Sequence, residues 1–490
     1  MKIIINSQNT FGVVQRAMNQ AFEFIKHTYG PSENKILLGR LAGRPEILDD
    51  GVASLRQLEL DDPAENEVLK VIKEICVRTN NKVGDGTTGS IIMAQAILNE
   101  IANFGKVDGK KITKELKKGF EEFCKDIRKQ SKSVVTKADL YKVAKVSFDN
   151  EQIAELISSL LFKTGHECVI AVQETGANYT TTEVVEGTAI DKGYLSTYFV
   201  TNSDRMEAVL KDPYILVTDY RLVSNSDIIG LMEKVIKSGK KEMVIFCESA
   251  EGDALATFVV NKQRGAFNSI VVELPRFGVD KKEVMNDLAM LTGATVISQE
   301  SGIKIEDATL EMLGGADKVI SKAESTVIIG GKMNRKELQK TVTYLRGRVE
   351  QETEDITKEE LKKRLGKLQG KISVIKIGAS TENELNALKY KVEDAINATR
   401  VAFKSGVVRG AGLALESIVT SSPILNNALK YPHKQLLENT GFTKEDIGKD
   451  VVDPVEVLIA GVESAVSIIS LLTSLKTICV EKPKDEKTTQ

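Results

Sequence analysis

The chain has no tryptophan, only three histidines, five cysteines and nine prolines among 490 residues. Each shortage removes a class of function. The histidines (His27, His166, His433) stand far apart and none belongs to an HExxH pair, which argues against a His-ligated zinc site or a serine hydrolase. The cysteines (Cys76, Cys124, Cys168, Cys247, Cys479) are odd in number and lack CxxC spacing, as expected of reduced thiols and not of a disulfide framework. So few prolines leave no Pro-rich linker. Excess charge is also lacking: 67 Lys and Arg stand against 69 Asp and Glu, a net charge of -2, which excludes a globally basic surface for coating nucleic acid. The longest apolar stretch, Val455 to Leu475, carries Glu456 and Glu463, so it reads as a buried helix and not a membrane span. The opening MKIIINSQNT turns polar after three isoleucines, too soon for a secretory signal. The expectation is a cytoplasmic protein that engages neither nucleic acid nor membrane.

What is present is an ordinary soluble composition, 42% hydrophobic and 28% charged, in a chain long enough for about three domains. Residues 11–29 carry a helical stripe (Val13, Val14, Met18, Ala21, Phe22, Ile25) that stops at Thr28-Tyr29-Gly30-Pro31. Residues 35–48 read as a short hairpin closed by the turn Asp49-Asp50-Gly51. A long helical pattern through Val68, Leu69, Ile72, Ile75 and Cys76 breaks at Gly84-Asp85-Gly86-Thr87-Thr88-Gly89 and resumes at once. From about residue 190 the pattern changes to apolar strands (PYILVTD, EMVIFCE, SIVVEL, ATVISQE) alternating with helices, the signature of an α/β region. Residues 334–370 read as a charged helical hairpin, KISVIKIGA as a strand, and the remainder as mostly helical.

One segment carries explicit chemistry. In Gly84–Gly89 the glycines allow backbone N–H groups to approach a phosphate, the following helix N-terminus adds partial positive charge, and Asp85 stands where a carboxylate can hold Mg²⁺. It is not a Walker A loop, since no Gly-Lys-Ser/Thr follows. Taken singly, this segment, Thr28–Pro31, Asp49–Gly51 and the glycine-rich junction Gly406–Gly412 read as turns, and Asp394 reads as a solvated helix residue.

Their order and wording change that reading. DDGVASLRQLELDDPAEN, VGDGTTGSIIMAQAIL, EGDALATFVVNKQRG, LKKRLGKLQGKISVIKIGASTENE and KVEDAINATRVAFKSGVVRGAG resemble, in sequence along nearly the whole chain, the group I chaperonins, the GroEL-like family. The resemblance implies an α+β multidomain subunit: a mostly helical equatorial domain (1–130 and 404–490), a small intermediate domain (131–186 and 371–403) and an inserted α/β apical domain (187–370), hinged at Gly187 and Gly370. It implies ATP and Mg²⁺ as cofactors, with K⁺ also used in the family. Thr28, Tyr29, Gly30 and Pro31 would line the nucleotide, with Asp49 close to the phosphates. Asp85, Gly86, Thr87, Thr88 and Gly89 would cradle the phosphates, with Asp85 on the metal. Asp394 would position or deprotonate the attacking water, assisted by Asp50. Gly410, Ala411 and Gly412 would pass the ribose, and Asp453 would bind its hydroxyls. An apical groove of Tyr194, Tyr198, Phe199, Ile229, Met232, Leu255, Val259 and Val260 would capture non-native polypeptides. The resemblance implies a homo-oligomer built as a seven-membered ring or rings, which a cochaperonin could join as a further partner. The strands KIIIN and TICVEKP and the hairpin at 35–48 would pair between neighbouring subunits.

The chain departs from the family pattern at several points. Gly89 replaces a threonine of the phosphate loop, Asp49 replaces a lysine, and Ala411 replaces the middle glycine of a triplet. The stretch from Phe442 to Asp453 is short where the family makes a longer excursion towards the adenine. A divergent, shortened member fits a viral origin, in which case the compartment is the host cytoplasm. These departures leave an alternative beside the ATP-driven chaperonin: a ring-forming binding or assembly scaffold with weak or no productive ATP turnover.

Overall fold

The computed structural model describes residues 2–31, 34–39, 46–48, 51–105, 108–165, 170–175, 180–203, 205–274, 279–352, 354–368, 371–379, 381–448 and 450–481. The chain divides into two compact units. The first comprises Met1–Glu167, Val172–Thr181 and Ile375–Gln490; the second comprises Cys168–Ala171 and Thr182–Val374. The strands Ile170–Glu174, Thr181–Ile190 and Lys371–Ile377 carry the chain across the boundary.

The first unit is helical, and its helices begin and end for local reasons. Asp62 caps Pro63–Val83, accepting from the amides of Ala64 and Glu65, with Pro63 in the first turn where its missing N–H costs nothing. The same helix ends at Gly84 in the left-handed conformation. Asp108 caps Gly109–Lys129, which buries Ile112, Leu116, Phe123 and Ile127 on one stripe and places Arg128 and Lys129 in its last turn. These two helices, with Ser7–Ile25 and Thr87–Asn103, surround Val455–Ser474. Val455–Ser474 is, among the described residues, the one helix long and apolar enough to cross a membrane. Its side chains are instead largely buried in the core of the unit, and its two acids find partners: Glu456 pairs with Arg128 at 2.8 Å and Glu463 with Lys82.

The strands Lys2–Asn6 and Thr477–Glu481 pair with each other, antiparallel, with Lys2 opposite Glu481. Ile36–Leu38 likewise pairs with Glu46–Leu48 of its own hairpin. Each of these strands thus has one edge paired within the chain, a pairing that leaves its other edge for a neighbouring subunit as the resemblance implies.

The second unit is built on a mixed sheet. Asn268–Glu273, Glu242–Cys247 and Tyr214–Thr218 run parallel, then Gly314–Ser321, Thr326–Gly331 and Thr181–Ile190 follow antiparallel. The parallel strands are near-continuous apolar runs, such as Met243 to Cys247, all buried, as expected where both faces are covered. Arg335–Gln351 and Asp355–Leu368 form the charged hairpin, closed over Leu291, Leu345, Leu361 and Leu368. Gly187 sits inside the strand Thr181–Ile190 opposite Ile329, where a Cβ would collide with Ile372 and the carbonyl of Ile328. Its requirement is close approach within a sheet, not a turn. Gly370 lies outside the described residues.

Candidate functional site

A cavity of about 910 Å³ opens in the first unit. Its walls come from stretches of chain far apart in sequence: residues 28–31 with Asn34 and Gly51, then 85–93, 138–149, 390–398, 411–436 and 450–462.

The phosphate-loop candidate forms one wall. Gly84 ends one helix at φ 69° and Gly86 begins the next at φ 77°, so the chain reverses within two residues and Asp85 stands between them. Neither position admits a side chain: a Cβ on Gly84 would collide with Asn397, and one on Gly86 with Val457. The helix Thr87–Asn103 starts here with no side-chain cap, so its first amides and its positive dipole end belong to the cavity wall. Thr28, Tyr29, Gly30 and Pro31 lie alongside, held by Asn439, whose Nδ2 donates to the carbonyls of Lys26 (2.7 Å) and Tyr29 (2.8 Å). The Thr88 hydroxyl approaches Gly51 so closely that any side chain there would displace it.

Asp394 reaches the cavity from the helix Glu382–Ser405, one turn after Lys391, whose Nζ lies 5.5 Å from the centre of the Phe148 ring. Asp453 reaches it from the short strand Val452–Pro454, where it pairs with Val408. The amides of Gly412 and Ala411 donate to the Asp453 carboxylate, yet its pKa is pushed up to about 7, first by burial and then by the Asp85 carboxylate. The Tyr29 phenol is driven well above its ordinary pKa by burial and by the charges of Asp453 and Asp85, so it stays a neutral donor beside two carboxylates.

Twelve of the residues expected from sequence therefore share this cavity: Thr28, Tyr29, Gly30, Pro31, Asp85, Gly86, Thr87, Thr88, Gly89, Asp394, Ala411 and Asp453. Gly410 and Gly412 stand behind the lining. Gly410 donates to the Val451 carbonyl at 2.9 Å, and Gly412 adopts φ 75° against the start of the His433 helix. Asp49 and Asp50 lie outside the described residues. Sequence reasoning missed Tyr141, Lys142 and Phe148 from the helix Lys137–Ser147 and the residue after it, and Lys142 bonds Asp450 at 2.7 Å across the rim. Only the spacing of Lys391 from Asp394 was a local signal for this wall.

A divalent ion fits this site in one way. Among the described residues no three His, Cys, Asp or Glu side chains group closely enough to cage a metal. Asp85, close enough to Asp453 for their charges to interact, would offer one charged ligand and leave the rest of the shell to oxygens of other ligands and water, the arrangement Mg²⁺ favours.

In the second unit the apolar candidates separate into two groups. Tyr198 is 63% exposed, Ile229 42% and Val260 39%, with Leu255 and Val259 half-buried beside them. Tyr194, Phe199 and Met232 are not on that surface. All three are buried in the core, and the Tyr194 hydroxyl donates to the Met206 carbonyl. The helix Ile229–Lys237 turns Leu231, Met232 and Val235 inward, and an apolar residue on the inner face serves the sheet.

Glycine turns and an uncapped helix N-terminus in the wall of one cavity can take an anionic group, and the carboxylates that share the wall can hold a cation beside it. The chain belongs to the TCP-1/cpn60 chaperonin family, whose model matches residues 22–447. Its fold, an α+β multidomain architecture, is similar to that of the chaperonin gp146 from the bacteriophage EL 2 (Pseudomonas aeruginosa), solved in the presence of ATP-BeFx in two crystal forms. With crystal form II the identity is 17% and the TM-score 0.66, over 98% of this chain and 100% of that one. With crystal form I the values are 18% and 0.60, over 98% and 99%.

Proposed function

We propose that this chain is the subunit of an ATP-hydrolysing chaperonin ring that captures non-native polypeptides in the cytoplasm, the host cytoplasm if the chain is viral. The observation that carries the reading is the convergence of Asp85, Asp394 and Asp453, from three distant segments, on one cavity with a helix N-terminus in its wall. The presence of ATP-BeFx in the crystals of the similar phage chaperonin supports a nucleotide as occupant.

In this reading the amides of Thr87, Thr88 and Gly89 hold phosphate oxygens, and Asp85 would hold Mg²⁺, which would supply positive charge for phosphoryl transfer. Asp394 orients a water and accepts its proton; Asp50 assists. Ala411 and Asp453 hold the sugar. K⁺ is a further expected ion. The surface of Tyr198, Ile229, Leu255, Val259 and Val260 takes up exposed apolar segments of clients. The three-domain division, with 131–186 and 371–403 as an intermediate domain, makes Asp394 a group delivered by domain closure, so that hydrolysis follows shape change.

Electron microscopy of the purified protein with and without ATP, alongside a phosphate-release assay, tests the proposal. Rings of about seven subunits that hydrolyse ATP are expected. Monomers under all conditions would refute the ring, and rings without hydrolysis would favour the assembly scaffold.

A further inference from the structure

His433 is buried, 6% exposed, at the start of the helix Tyr431–Thr440. Its Nδ1 lies 2.8 Å from the carbonyl oxygen of Ala411. A carbonyl only accepts, so Nδ1 carries the hydrogen and the tautomer is fixed. The other ring nitrogen, Nε2, is buried with no hydrogen-bond partner among the described residues. A buried polar atom left so is a cost that an apolar side chain at this position would avoid.

Ala411 is itself unusual. It is one of three non-glycine residues with positive φ among those described, at 57°, a left-handed conformation that a residue with a Cβ adopts only under strain. Its peptide groups are gripped from both sides: its carbonyl accepts from His433, while its amide and that of Gly412 donate to Asp453. The turn has no room to relax, because a Cβ on Gly412 would lie 2.7 Å from the amide nitrogen of His433. Ala411 and Asp453 both line the cavity; His433 does not.

We infer that His433 is a positioning residue, which holds the turn Gly410–Gly412 so that its two amides aim the Asp453 carboxylate at the sugar hydroxyls of the nucleotide. The inference rests on the nucleotide reading of the cavity. The imidazole acts two steps from the ligand: His433 to Ala411, then the turn to Asp453. The lone pair left on Nε2 is the cost of keeping a donor on the other side of the ring.

The test is the affinity of full-length protein for ATP and for 2′,3′-dideoxy-ATP, measured by titration calorimetry with Mg²⁺. His433→Leu removes the donor. It should weaken ATP binding about 5–10-fold, the value of one hydrogen bond, and dideoxy-ATP binding less than about 2-fold. His433→Asn places an amide near the position of Nδ1 and should recover most of the ATP affinity. His433→Gln places its amide near the position of Nε2 and should not, and this polar pair keeps the comparison open if His433→Leu folds poorly. Equal losses for both nucleotides, unchanged ATP affinity in His433→Leu, or no rescue by asparagine relative to glutamine would overturn the inference alone. A wild-type protein that binds neither nucleotide would overturn the nucleotide reading and the inference with it.

Discussion

Asp453→Asn is the perturbation that most directly probes the charge balance of the cavity. A carboxylate whose pKa is raised on folding, here from 3.8 to about 7, holds its proton more tightly in the folded chain than in the unfolded one. Stability from this group is therefore present at low pH and is lost as pH rises through the interval between the two values. The full shift corresponds to at most about 4 kcal/mol of destabilisation at pH 8. At pH 5 the unfolded carboxylate is already ionised and the folded one is not, so part of that cost, about 2 kcal/mol, is present there as well. Asparagine mimics the protonated carboxyl and keeps an oxygen for the amides of Ala411 and Gly412. The variant should accordingly be the more stable protein without nucleotide, by a margin that grows about 2–3 kcal/mol from pH 5 to pH 8. Urea unfolding followed by circular dichroism at several pH values, wild type against variant, measures the difference, and other carboxylates cancel. A margin independent of pH, or a variant less stable at pH 8, would show that Asp453 is ionised at ordinary cost and that burial and Asp85 do not act on it as described.

Asp394→Ala should slow ATP turnover about 10²-fold or more with ATP affinity within a few-fold, since a base for the attacking water is lost and the binding groups remain; unchanged single-turnover rates would reduce Asp394 to a helix-face carboxylate. Asp85→Ala should raise the Kd for Mg–ATP at least about 10-fold and abolish the advantage of Mg²⁺ over EDTA, and a titration with equal affinities would remove Asp85 from the metal. Tyr198→Glu should cut capture of a urea-unfolded protein at least about 10-fold, because each covered apolar side chain contributes ~1.5–3 kcal/mol and a ring repeats the loss in every subunit. As Tyr198 is 63% exposed, its Tm should stay within about 2 °C of wild type; retained capture would show that clients bind elsewhere.

The parts of this fold that were legible in sequence are those governed by neighbours along the chain. The stripe from Val13 to Ile25, the break at Gly84–Gly86 and the hairpin after residue 334 depend on periodicity, on glycine and on caps, and they stand where the pattern puts them. The loops that meet at the cavity were legible because glycines and acids at fixed spacing carry the family resemblance. Burial of one residue against the next was not. Met232 and Ile229 lie less than one helical turn apart, and only the position of the sheet decides that the first is core and the second surface. The wall formed by Tyr141, Lys142 and Phe148 was equally hidden, since it exists only once Lys137–Ser147 packs beside Glu382–Ser405. His433 gave no signal at all: a single histidine acquires meaning from a carbonyl 22 residues earlier in the chain.

The pairing of Lys2–Asn6 with Thr477–Glu481 bears on how the protein is made. Lys2–Asn6 cannot find this partner until Thr477–Glu481 has left the ribosome, and the central helix Val455–Ser474 emerges just as late. Thr182–Val374, in contrast, is contiguous and has its own sheet and core. At ~5–20 residues per second it emerges on the order of ten seconds before Ile375–Gln490 is finished, time enough for it to fold first. The helices Ser7–Ile25, Pro63–Val83 and Thr87–Asn103 meanwhile lack the helix Val455–Ser474 that they surround. The core of the first unit therefore closes around the one of its helices that is made last.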